Sequence, residues 1–157
     1  MEKAKGIDVS HWQGRIDFDK VKSQGYSFVM INAGYGKYIS QKDENFEKNY
    51  AAARKAGLNI GTYWYSYALT EADALAEAKT FLESVKGKKF EYPLAFDIED
   101  ASQSELPNAA INKTYRSLLR LSRKQRLLCG CLQLRKLFQA QGIRLRKKPL
   151  RHLGGTL

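Results

Sequence analysis

At 157 residues the chain suits one domain. It has no run long and apolar enough for a transmembrane span, and its start, "MEKAKGIDVSHWQG", lacks the apolar stretch of a signal peptide, so export would need another route. Lys and Arg number 27 against 16 Asp and Glu, a net +11, but the charge is unevenly placed. The last acid is Glu105, and 113–157 hold 13 basic residues and no acid, which leaves 14 basic against 16 acidic in 1–112. The front is thus an ordinary near-neutral globular sequence, while the basic end raises a nucleic-acid or anionic-membrane reading. Cys129 and Cys131 are the only cysteines. A lone C-x-C pair is a weak metal signal and gives no disulfide framework, so the compartment stays open.

In chain order, "KGIDVS" predicts a short strand over Gly6 to Ser10, apolar at Ile7 and Val9. Asp17 caps a helix with Phe18 and Val21 on one face and Gly25 at its end. "YSFVMINAGYG" predicts a second buried strand, Phe28 to Ile31, closed by a Gly-rich loop. "DENFEKNYAAARKAGLN" is a helix with Asp43 as cap, a stripe of Phe46, Tyr50 and Ala53, and Gly57 as stop. "IGTYWYSYA" is a third strand, rich in aromatics. Thr70 caps a further helix whose face is drawn as Leu75, Ala78 and Leu82, and "YPLAFDI" is a fourth strand. The β-α-β-α-β-α-β order with short connections predicts a parallel sheet with helices on its faces. Such sheets place chemistry beyond the carboxyl ends of their strands. Those ends carry Asp8, then Asn32 and Tyr35, then Tyr65 and Tyr67, then Asp97 and Glu99.

Three acids within four residues close "PLAFDIED". In an extended strand, i and i+2 share a face, so Asp97 and Glu99 would stand together while Ile98 points away. Two close carboxyls repel as anions, and one tends to keep its proton. Glycoside hydrolysis needs that pairing: one carboxylic acid protonates the leaving oxygen and a carboxylate supports the developing positive charge. Tyr63, Tyr65 and Trp12 offer faces on which sugar rings stack. The residues alone leave other roles open. Paired acids also hold metals, Tyr63 and Tyr65 also suit packing under helices, Trp12 suits the core, and His11 suits a structural or exposed place.

The stretches "KGIDVSHWQGRIDFDKVK", "YSFVMINAGYG", "DENFEKNYAAARKAGLNIGTYWYSYA" and "YPLAFDIED" together resemble the family 25 glycoside hydrolases, the Chalaropsis-type lysozymes of bacteria and their phages. The resemblance covers residues 4 to about 112. It implies an α/β fold, an incomplete (β/α) TIM-like barrel with parallel strands and helices outside. It also implies hydrolysis of the β-1,4 bond between N-acetylmuramic acid and N-acetylglucosamine in peptidoglycan. By motif position Glu99 matches the general acid and Asp97 its companion carboxylate, which holds the substrate's acetamido group or supports charge. Asp8 matches a further active-site acid, and Tyr35, Tyr63 and Tyr65 match groove residues. No metal and no cofactor is implied. Asn32 stands where many members carry Arg or Lys.

Beyond Thr114 the resemblance stops. The chain therefore divides into 1–112, the front of a lysozyme barrel, and 113–157, a basic tail expected to be irregular, helical or poorly packed. Codons of the tail read from their second base can encode "YYVAVYS" and then "RYDIWVAH", strings of the family's pattern and in its order. The tail is accordingly expected to be an out-of-frame translation on a truncated lysozyme. A closed barrel of this type usually needs about 200 residues or more. Weak stability and weak or absent turnover are therefore expected. A carbohydrate- or polyanion-binding remnant is the alternative, its 13 tail cations giving non-specific, salt-sensitive attraction to polyanions without a nucleic-acid motif.

Overall fold

Alternation along four parallel strands decides which apolar side chains meet helices and which meet the opposite face. The computed structural model describes residues 4–104, 129–131 and 144–145. Strands β1 (Lys5–Val9), β2 (Phe28–Tyr35), β3 (Asn59–Tyr65) and β4 (Leu94–Asp97) pair in sequence order, all parallel. Helices α1 (Phe18–Ser23), α2 (Phe46–Lys55) and α3 (Glu71–Ser84) form the crossovers, and the short α4 (Ala101–Ser104) follows β4. Two short strands are added at the edges. β5 (Cys129–Cys131) lies beside β4 and β6 (Arg144–Leu145) beside β1, giving the order β5-β4-β3-β2-β1-β6. The basic segment 113–157 is described only at those five residues, all of them strand; the expected boundary at 112/113 lies outside the described residues.

The helix side of the sheet carries Ile7, Val9, Val29, Ile31, Ile60, Trp64, Leu94 and Phe96. These pack with Phe18 and Val21 of α1, Phe46 and Ala53 of α2, and Ala74 and Phe81 of α3. Burying a side chain of this size contributes roughly 1.5–3 kcal/mol. The opposite face holds a smaller cluster, Phe28, Met30, Tyr63 and Ala95, against which Tyr92 packs. The Phe28 and Tyr92 rings stack at 4.4 Å. Space there is tight: a Cβ on Gly6 would sit 2.0 Å from the Phe28 ring, so only glycine fits beneath it.

The helix ends follow local chemistry. The Asp17 carboxylate accepts the Lys20 N–H at 2.9 Å and Thr70 Oγ1 accepts the Asp73 N–H at 3.1 Å, satisfying donors that a first turn leaves over. Three details differ from the sequence expectation. β2 runs on to Tyr35 rather than stopping at Ile31. α2 starts after Asn45, whose N–H bonds Asp43 Oδ1 at 2.9 Å, so Asp43 steadies the approach to the helix rather than capping it. In α3 the buried stripe is Ala74, Glu77, Ala78 and Phe81, with Leu75 and Leu82 only half-buried. The larger side chains suggested a stripe one position away from the one that the sheet covers.

Candidate active site

β4 ends at Asp97, and the three acids of "DIED" then separate by role. Asp97 is the last strand residue, level with Tyr65 of β3, and its carbonyl accepts the Ser66 N–H at 2.9 Å. Ile98 turns back onto the helix-side core. Asp100 Oδ1 accepts the Ser102 N–H at 3.0 Å and the Ser102 hydroxyl at 2.6 Å, ordering the start of α4; these bonds lower its carboxyl below the ordinary aspartate range. Glu99 lies between them, beyond the strand and exposed.

Asp97 opens on a cavity of about 840 Å³ at the carboxyl edge of the sheet. From β2 and β3 it is lined by Asn32, Tyr35, Tyr63 and Tyr65, and Tyr67 follows just beyond. Ser10, His11 and Trp12 line it from the loop after β1, and Lys42, Asp43 and Glu44 from the approach to α2. Its size falls within the usual range for a small-molecule or oligosaccharide cleft.

Tyr35 reaches this cavity because β2 is irregular. Register slips between Asn32 and Gly34, so Asn32 pairs with Tyr63 but Tyr35 pairs with Tyr65. The inserted residue reverses the alternation and brings Tyr35 level with the cavity face. Gly34 sits at φ 146°, and a Cβ there would meet the Gln41 carbonyl at 2.5 Å and the Trp64 ring at 2.7 Å. Glycine is what allows the slip.

The tyrosines form one aromatic wall. Tyr65 and Tyr67 meet edge-on at 5.1 Å, and Tyr35 and Tyr67 at 6.0 Å. Burial pushes the Tyr63 phenol well up, and the negative charge of Asp8 pushes it further; a hydrogen bond with the Asn32 side chain opposes the shift, and Asp97 adds to it. Tyr65 is pushed up to about 12, first by burial and then by Asp100, Tyr67 and Asp97. Its hydroxyl also reaches Asp100 Oδ2 at 3.4 Å. Both phenols therefore stay neutral across the physiological range, able to donate to a ligand oxygen or to a neighbouring carboxylate.

The expected site residues are gathered in part. Asp97, Tyr35, Tyr63 and Tyr65 line the cavity together. Asp8 sits lower on β1, level with Met30, and is exposed; its field at Tyr63 ties it to the same face. Neither Asp8 nor Glu99 lines the cavity itself. Tyr63 and Tyr65 face away from the helices, where Trp64 packs instead, so the packing alternative for them does not apply.

Three other residues carry more than sequence reasoning gave them. Asp43, one of the cavity's lining acids, accepts the His11 N–H at 2.9 Å and contacts His11 Nδ1 at 2.8 Å through one oxygen, Oδ2. Trp12, expected in the core, is 82% exposed. The available signal was position, because both His11 and Trp12 directly follow the carboxyl end of β1.

The sequence model of the glycosyl hydrolases family 25 matches residues 7–127. The chain is 36% identical over 95 residues to an autolytic lysozyme of Clostridium acetobutylicum, covering 60% of this chain and 28% of that protein. It is 47% identical over 62 residues to lysozyme M1 of Streptomyces globisporus, covering 40% of this chain and 20% of that one. It thus spans less than a third of either of these relatives. A bacterial lysozyme from Streptomyces coelicolor superimposes with a TM-score of 0.64 at 32% identity, over 75% of this chain and 56% of that structure. Sheet order, an acid at the end of β4 and a match across well over half of its length agree: the chain belongs to the glycosyl hydrolases family 25.

Proposed function

We propose that the chain is a peptidoglycan hydrolase of the lysozyme type, cutting the β-1,4 bond between N-acetylmuramic acid and N-acetylglucosamine. The observation that carries the reading is Asp97 at the end of β4, in a cavity shared with Tyr35, Tyr63 and Tyr65. Relatives named as lysozymes supply the substrate class. Glu99, two residues on, gives its proton to the leaving glycosidic oxygen. Asp97 holds the acetamido group or supports the positive charge that develops at the sugar carbon, and Asp8 adds negative charge from below. Water completes the reaction by supplying the new hydroxyl at that carbon and returning a proton to the carboxylate. The 13 cations of 113–157 add a non-specific, salt-sensitive attraction to anionic wall polymers.

Glu99→Gln removes the transferable proton and keeps the shape. Clearing of a suspension of purified cell walls is expected to slow by about 100-fold or more, the usual contribution of general acid catalysis. Binding of wall glycan is expected to survive. Unchanged clearing in the variant contradicts the role of Glu99.

A second reading has an observation of its own. Glu99 and Asp8 stand outside the cavity lining. A carbohydrate-binding remnant without turnover fits that placement. It is distinguished by wall binding with no release of sugar from the wild-type chain.

A further inference from the structure

The loop after β1 holds an exposed tryptophan on a backbone that is tied down from three sides. The turn His11–Gln13 is capped by Ser10, whose Oγ accepts the Trp12 N–H at 3.3 Å. Gln13 Oε1 returns the favour by accepting the Ser10 N–H at 2.7 Å. Asp43, with its side chain 1% exposed, accepts both the His11 N–H and the ring Nδ1–H through Oδ2, while its Oδ1 takes the Asn45 N–H. His11 in turn lies against Trp12, ring centroids 4.5 Å apart at 38°. A buried carboxylate in the approach to α2 thus fixes an imidazole, and the imidazole backs an indole that is 82% exposed.

Among the described residues, none buries that indole. It belongs to neither apolar cluster, and leaving so large an apolar surface in water has a cost. Its place explains it better. His11 and Trp12 both line the cavity that holds Asp97, at the β1 side of the sheet. Between β1 and β4 lie three strand spacings, about 14 Å along the sheet. A ring stacked on Trp12 therefore lies away from the bond next to Asp97, along the same groove.

We propose that Trp12, held by His11 and Asp43, is a stacking platform for a sugar ring of the glycan strand outside the pair flanking the scissile bond. This deepens the lysozyme reading and rests on it for the identity of the ligand. The indole presents a flat apolar face to the C–H face of a pyranose, and because its support is already ordered, little conformational freedom is lost on binding. The platform favours long glycan chains over short ones and adds nothing to bond breaking itself.

The test uses the whole chain and two probes, the dimer and the hexamer of β-1,4-linked N-acetylglucosamine, by calorimetry. Trp12→Ala is expected to weaken hexamer binding by up to about tenfold, the scale of an aromatic contact, and to leave dimer binding unchanged. Trp12→Phe is expected to recover most of the loss. Trp64, the only other tryptophan, is fully buried, so acrylamide quenching reads Trp12; hexamer is expected to protect it and dimer is not. Near-ultraviolet circular dichroism of the Trp64–Phe81 pair, 5.4 Å apart in the core, checks that each variant is folded. Unchanged hexamer binding in Trp12→Ala, equal losses for dimer and hexamer, or a wild-type chain that ignores the hexamer each overturn the platform. Hexamer binding through Trp12 alongside wall clearing that is indifferent to Glu99→Gln would instead contradict the catalytic reading and leave the platform standing.

Discussion

Burial raises the Glu77 carboxyl above the ordinary glutamate range, with hydrogen bonds from the Ser66 hydroxyl and the Tyr67 N–H opposing the shift. The group is 2% exposed and bridges α3 to the segment carrying Tyr65 and Tyr67, so it sets the aromatic wall without touching the cavity. A carboxyl whose folded value is raised binds more protons when folded. Its contribution to stability is complete below the unfolded value of about 4.3 and is lost as pH rises through the raised folded value. Glu77→Gln keeps an acceptor for the Tyr67 N–H and gives the Ser66 hydroxyl an amide donor where it had a carboxylate acceptor. The wild-type-minus-variant stability, from urea unfolding at a series of pH values, is therefore expected to fall with rising pH across that window. A flat difference contradicts the assignment. Glu77→Ala orphans two buried donors and is expected to cost about 3 kcal/mol at neutral pH. At this scale the sequence was half legible. The acids at the end of β4 stand out, but nothing singles out Glu77, because the face of α3 drawn from the sequence runs through Leu75, Ala78 and Leu82. The His11–Asp43 contact links residues 32 apart in sequence, and no local pattern announces such a pair.

Elements were easier to read than their edges. Caps at Asp17 and Thr70 and the apolar residues of α2 were visible because they depend on short-range spacing. The slip in β2 was not, since it depends on how Gly34 fits between Gln41 and Trp64, and without it Tyr35 would fall on the wrong face. α3 docks on the sheet largely through Phe81, which stacks on Trp64 at 5.4 Å and meets Phe96 edge-on at 5.3 Å. Phe81→Ala opens a cavity between that helix and two strands. Chemical denaturation is expected to show a loss of about 3–5 kcal/mol, with Tyr65 and Tyr67 losing order as α3 loosens. A loss below about 1 kcal/mol would mean that α3 is held by something other than this aromatic contact.

The whole molecule was legible where periodicity changes from two to three and a half, through four strands and three crossover helices. β5 and β6 were not, because three- and two-residue strands carry no period at all. They leave the sheet with short edges, which limits edge-to-edge association but contributes few ladder bonds. The chain spans 28% and 20% of the two curated lysozymes it matches and 56% of the Streptomyces coelicolor structure. The chemistry still has a distinctive product. A lysozyme-type cut leaves muramic acid at each new reducing end, which borohydride converts to muramitol. Incubating purified peptidoglycan with the wild-type chain, reducing, and quantifying amino-sugar alcohols by mass spectrometry tests the central claim most directly. The expected result is muramitol that accumulates with time and is lost in Glu99→Gln; glucosaminitol instead, or no amino-sugar alcohol above the untreated wall, contradicts it.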